Sequence, residues 1–110
     1  MSLIVHDLAI EMIAQLRPTV TRIRGRDRAL AQQIQRAASS VALNIGEAEY
    51  SDPGNRRARF YTAAGSAGET RTALLVAVAW GHVSQAHAQE AIASLNRILG
   101  MLWGLNRGAG

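Results

Sequence analysis

Four stretches of the chain carry apolar residues at steps of three and four, the spacing that lines up one face of an α-helix. The first runs from about Leu3 to Arg24, with Val5, Leu8, Met12, Leu16, Val20 and Ile23 on one stripe. Pro18 falls inside it and removes the hydrogen bond to the Ala14 carbonyl. The apolar phase continues past the proline, which predicts one helix kinked near Pro18 rather than two helices. Gly25 supplies a stop. Asp27 is placed to cap a second helix, reaching about Glu49, whose stripe is Leu30, Ile34, Ala37, Val41 and Ile45. Residues Ser51, Asp52, Pro53, Gly54 and Asn55 read as a loop. A third helix is expected from near Arg56 to Trp80, with Phe60, Ala63, Ala67, Leu74 and Ala77 on a common face. Gly65 and Gly68 lie within it, each costing ~1 kcal/mol relative to alanine. Close approach of a neighbouring backbone is the expected use. Gly81 suits the position after a helix end, and Ser84 suits the cap of the fourth helix. That helix carries Ala88, Ile92, Leu95, Leu99 and Leu102 and is expected to end around Asn106, leaving a frayed Gly-Ala-Gly tail.

Four amphipathic helices with short connections predict an all-α, antiparallel up-and-down four-helix bundle, one domain over residues 1–110. Composition agrees. Apolar residues make up 48% of the sequence, which argues against disorder. Aromatic residues are only 5%, so the core has to be built largely from alanine and aliphatic side chains. No apolar run approaches the ~20 residues that span a bilayer. The N-terminus lacks the features of a signal peptide, so a cytoplasmic location without membrane contact is the expectation. Cysteine is absent, which excludes disulfides, thiol catalysis and cysteine-bound zinc.

Along helix two, the run Gln33-Ile34-Gln35-Arg36-Ala37-Ala38-Ser39-Ser40-Val41-Ala42-Leu43-Asn44-Ile45-Gly46-Glu47-Ala48 resembles the "QIRRAA-S-NIAEG" segment of a bacterial four-helix bundle family. That family was first noticed in intervening sequences of large-subunit ribosomal RNA genes. It includes relatives of the accessory variability determinant of diversity-generating retroelements. Ala64-Gly65-Ser66-Ala67-Gly68-Glu69 is similar to the family's "ALGSLAE" segment, Leu8-Ala9-Ile10-Glu11 to its opening, and Ala79-Trp80-Gly81-His82-Val83-Ser84 to its "LGYIS". The chain departs from the pattern at Gln35 (arginine), Gly46 (alanine) and Ala48 (glycine). The resemblance implies a ring-like homo-oligomer, a pentamer, without enzymatic activity. It suggests RNA or DNA, and an unidentified protein, as partners.

Among residues that could carry chemistry, Asn44, Glu47, Glu69, Arg36 and Arg71 stand beside the apolar stripes of helices two and three. A paired polar network fixing helix register or a subunit contact is one reading; a ligand site is the other. A dimetal bundle needs Glu-x-x-His on two helices. The residues three beyond Glu11, Glu47, Glu69 and Glu90 are Ala14, Tyr50, Thr72 and Ala93, so that motif is absent. His6, His82 and His87 lack metal-ligand spacing. No phosphate-binding glycine loop or nucleophile motif occurs, and neither a catalytic residue, a metal nor a cofactor is expected.

The basic residues change the picture most. The formal charge is +4 and all 12 basic residues are arginine. Genome-wide compositional bias and selection for bidentate phosphate or carboxylate contacts both account for that. Arg22, Arg24, Arg26 and Arg28 crowd the first turn, with Asp27 the one acid among them. With Arg36 they form the candidate nucleic-acid-binding set. Ordinary solubility and favourable placement at a helix C-terminus are the other account of the cluster. Arg56, Arg57, Arg59 and Arg107 are expected at the other end, beside Glu47, Glu49 and Asp52. No aromatic platform accompanies either cluster, so binding would be to phosphate, weakly sequence-selective and sensitive to salt. The other reading is a protein-interaction module with Tyr61, Trp80 and Trp103 at interfaces.

Overall fold

The structure, a computed structural model, describes the backbone of residues 2–109 and the side chains of residues 4–104. Four helices account for nearly all of it: α1 (Ser2–Arg24), α2 (Arg28–Ala48), α3 (Pro53–Ala79) and α4 (Gln85–Ala109). Each packs on its neighbours in sequence, and α1 also packs on α4, which closes the four into an up-and-down bundle. Its extents are 42 × 21 × 19 Å.

The predicted stripes form the core. Val5, Leu8, Met12, Leu16, Val20 and Ile23 of α1 are all buried, as are Ile34, Val41 and Ile45 of α2, Phe60 and Leu74 of α3, and Leu95 and Leu102 of α4. Pro18 is exposed on the outside of α1, which runs on as one helix from Ser2 to Arg24. Alanine supplies much of the rest: Ala31, Ala37, Ala38, Ala42 and Ala48 of α2 and Ala63, Ala64, Ala67, Ala73 and Ala77 of α3 are all buried. Small side chains bring two helix backbones near and lose no rotamer entropy on burial. Thr70, fully buried, satisfies its hydroxyl on the Ser66 carbonyl of its own helix at 2.8 Å.

Two helix boundaries differ from the sequence expectation. Helix α3 begins at Pro53, not near Arg56, because the supposed loop is its first turn. Asp52 accepts from the Asn55 backbone N–H at 2.9 Å and Pro53 fills the first helical position, where it has no N–H to lose. Helix α4 continues through Asn106 and Arg107 to Ala109, so Gly108 does not end it; Gly110 lies outside the described residues.

A third correction concerns the glycines. A Cβ at Gly65 or Gly68 would meet nothing within 4 Å. Neither meets a neighbouring backbone: Gly65 is exposed, and Gly68 is half-buried along the groove that Leu30 and Gln33 of α2 also line. Gly81 is different. With φ of +77° it ends α3: its own N–H bonds to the Val78 carbonyl and the His82 N–H to that of Ala77, both at 2.9 Å.

Candidate nucleic-acid interface

The α1–α2 turn is short and tied to the end of α1. The Ile23 carbonyl accepts from Arg26 N–H at 2.9 Å and from Asp27 N–H at 2.7 Å. Asp27 then caps α2, its Oδ1 accepting the Leu30 N–H at 3.0 Å. Around this turn the structure gathers Arg22 and Arg24 from the last turn of α1, Arg26 from the connection and Arg28 from the start of α2, all exposed. The α1 pair sits where the carbonyl end of a helix favours cations.

Two residues apart on a helix, Arg22 and Arg24 diverge. Arg24 turns toward α2 and donates to Gln35 Oε1 at 3.0 Å. Together with Arg28, Gln32 and Gln35 it lines one shallow depression. Arg22 turns toward α4 and lines another with Arg26, His82, Val83, Ser84 and His87. Among the described residues the guanidinium groups of Arg22, Arg26 and Arg28 have no ion pair, and the cap leaves Asp27 as the acid nearest them. The same end receives the α3–α4 turn, joined to the first by His82 Nε2 and Asp27 Oδ2 at 3.5 Å.

Arg36 does not belong to this group. It stands eight residues beyond Arg28, about 12 Å along α2, and pairs with Glu69 at 3.5 Å. Nor do the polar residues singled out in the sequence form one network. Asn44 and Glu47 are linked through Arg59, whose Nη1 lies 2.9 Å from Glu47 Oε2 and donates to Asn44 Oδ1 at 3.4 Å. Asn44 also donates to the Ser40 carbonyl at 2.9 Å. Arg71 is apart, donating to Asn96 of α4 at 2.7 Å. Neither carboxylate is buried: the Glu47 and Glu69 side chains are 55% and 42% exposed. Such pairs contribute at most ~1 kcal/mol each. They read as clamps along the α2–α3 and α3–α4 seams, with no ligand needed to explain them.

Three contacts had no conspicuous signal in the sequence. Buried Thr19 donates to the His87 carbonyl at 3.0 Å, and Ser94 to Gln15 Oε1 at 2.7 Å, stitching α1 to α4. At the opposite end, Arg56 Nε donates to the Ala48 carbonyl at 3.3 Å. A cation in the first turn of α3 is thereby turned onto the C-terminal end of α2, where its charge is favourable. The Arg107 side chain expected beside it lies outside the described residues. Threonine within an apolar stripe is the one trace the α1–α4 contacts leave in the sequence. The Asp52 carboxyl is held below its usual pKa chiefly by the Asn55 backbone N–H, then by the Asn55 amide. Among the described residues no three His, Asp or Glu side chains converge as a metal site.

The 23S rRNA-intervening sequence protein family matches residues 1–104. The chain belongs to that family. A crystal structure of a protein of unknown function, from the S23 ribosomal protein family of Bacteroides thetaiotaomicron VPI-5482, superposes with a TM-score of 0.86. The match covers 93% of this chain and 97% of that one at 18% identity, a likeness of fold. No curated protein matches significantly. Neither the family nor that neighbour carries an assigned catalytic activity. In this intervening-sequence protein, no helix among the described residues is long and apolar enough to cross a membrane.

One surface of the intervening-sequence protein is unlike the rest. Along the outside of α3, Ala58, Tyr61, Gly65, Gly68, Thr72, Val76 and Ala79 follow one another, none charged. The charged residues of this stretch turn sideways, Arg59 and Glu69 to α2 and Arg71 to α4. Tyr61 packs edge-on against Trp103 of α4, ring centres 5.9 Å apart, and both rings stay about half exposed.

Proposed function

We propose that this protein is a non-enzymatic, self-associating bundle that binds nucleic acid through its α1–α2 end. The observation that carries the reading is the convergence of Arg22, Arg24, Arg26 and Arg28 on one short turn, three of them with neither a hydrogen-bond nor an ion-pair partner among the described residues and Arg24 bonded only to the neutral Gln35 amide. Arginine without a carboxylate partner presents its forked donors to phosphate. A family named for a ribosomal RNA intervening sequence is compatible with an RNA partner. Binding of a labelled RNA or DNA oligonucleotide at low salt, followed by fluorescence anisotropy, tests it. Steep weakening with added salt, and loss when the four arginines are replaced by glutamine, are the expected results. No binding at low salt overturns the reading.

A second reading, a protein-interaction module without nucleic-acid affinity, is favoured by the uncharged outer face of α3. Gly65 and Gly68 leave that face smooth, and a second copy of this chain is its proposed occupant. The family resemblance makes a ring, a pentamer, the expected assembly. Native mass measurement decides the subunit number, and a strictly monomeric chain at high protein concentration overturns self-association.

A further inference from the structure

We infer that the α3–α4 turn supplies the second half of a phosphate site whose first half is Arg22 and Arg26. This inference rests on the nucleic-acid reading above and extends its binding surface to His82 and His87, which no arginine pattern reveals. The four side chains converge from opposite pairs of helices on a single shallow depression, with Ser84 between the two histidines in sequence and on its wall.

Each member is set for the task. The guanidinium groups of Arg22 and Arg26 have no hydrogen-bond or ion-pair partner among the described residues, so a bound anion displaces nothing. His87 is oriented from its Nδ1 edge: Ser84 Oγ lies 2.8 Å from Nδ1 and accepts the His87 backbone N–H at 3.2 Å. That leaves Nε2 for an outside partner. His82 Nε2 faces Asp27 Oδ2 at 3.5 Å, which ties the α3–α4 turn to the α1–α2 turn. The acid that could repel a phosphate here is thus occupied twice, by the Leu30 N–H on Oδ1 and by His82 on Oδ2. Across the same turn lies the second depression, with Arg24 and Arg28. Two basic hollows flanking one turn give the phosphates of a strand laid across the end of the bundle two places to bind.

The test uses the full chain and a labelled single-stranded RNA oligonucleotide. The double variant His82→Gln with His87→Gln should bind roughly tenfold more weakly, the equivalent of one charge-assisted contact. Asp27→Asn keeps a good cap and breaks the His82 pair; it should tighten binding by removing the nearest acid. Thermal melts confirm that each variant folds. Wild type that binds, with a histidine variant that binds equally well, overturns this inference and leaves the arginine reading standing. Weaker binding by Asp27→Asn also overturns it, because His82 would then act only by holding the turn. Adenosine monophosphate that displaces the strand at equal phosphate concentration overturns the strand assignment in favour of a free nucleotide. Wild type that does not bind at low salt removes both readings together.

Discussion

Ser40 and Ser66 face each other across the α2–α3 contact with their hydroxyl oxygens 2.8 Å apart. Ser40 also accepts from Asn44 Nδ2 at 3.1 Å. Both residues are half-buried, and both helices carry several buried alanines. A larger residue there must push the helices apart. Ser66→Leu is expected to destabilise the protein by about 1–3 kcal/mol, the usual cost of overpacking, measured as a shift in denaturant midpoint. An unchanged midpoint would show that α2 and α3 yield freely at this crossing.

The glycines of α3 behave in the opposite sense. A methyl group at Gly65 or Gly68 enters open space, and at Gly46 it would lie 3.8 Å from His6 Nε2, an ordinary contact. Gly65→Ala and Gly68→Ala should each stabilise the isolated chain by about 0.5–1 kcal/mol through reduced backbone entropy in the unfolded state. If the smooth face of α3 receives a second copy, the same double substitution should weaken self-association. Higher thermal stability with a smaller mass by native mass measurement is the combined signature. Higher stability with unchanged mass would place the subunit contact elsewhere.

How much of this was legible beforehand depends on the range of the interaction. The stripe of α1 from Val5 to Ile23 reads directly off the sequence because a buried helix face repeats every three to four residues. The cap by Asp27 and the stop at Gly81 read off equally well, being local. The start of α3 did not, because Asp52-Pro53-Gly54-Asn55 carries the same residues in a turn as in a capped first helical turn. The glycines misled because helix propensity says nothing about which side of the helix they occupy. At the candidate site, the α1–α2 arginines were visible as a cluster, since they are neighbours in sequence. His82 and His87 were not, because nothing in sequence relates residue 82 to residue 27; only closure of the bundle places the two turns together.

The caps give a third prediction. Asp27 is partly buried and bonds the Leu30 N–H, so Asp27→Ala should cost about 1 kcal/mol. Asp27→Asn should cost much less. Chemical denaturation of the two variants separates the cap from the charge. Equal losses in both would assign the stabilisation to the carboxylate charge facing His82 rather than to the capped N–H.

Asp52 makes the start of α3 sensitive to acid. Its carboxyl is held below the usual 3.8, first by the Asn55 backbone N–H and then by the Asn55 amide. A depressed folded value means the carboxylate stabilises this turn above the unfolded value, and the contribution disappears as pH falls through the lowered one. Amide exchange at residues 54–56 should therefore quicken at the acid end of that window before the rest of α3 responds. Asp52→Asn, which caps without titrating, should remove the effect. Exchange that quickens identically in the variant would trace the fraying to another group.

The last prediction separates the two kinds of arginine on this surface. Arg22, Arg24, Arg26 and Arg28 share one turn, whereas Arg36 lies along α2 and neutralises Glu69 at 3.5 Å. Counterion release makes the salt dependence of binding a count of phosphates neutralised, about 0.9 per contact on duplex DNA. Replacing the four turn arginines with glutamine should flatten the slope of log affinity against log salt by about 3 to 4 in that measure. Arg36→Gln should leave the slope nearly unchanged, because a guanidinium already paired releases few counterions from the nucleic acid. Glu69→Gln frees Arg36 and should steepen the slope by up to about one contact. If Arg36→Gln flattened the slope as much as any turn arginine, the interface would run down the α2–α3 seam, and the bundle end would be only its edge.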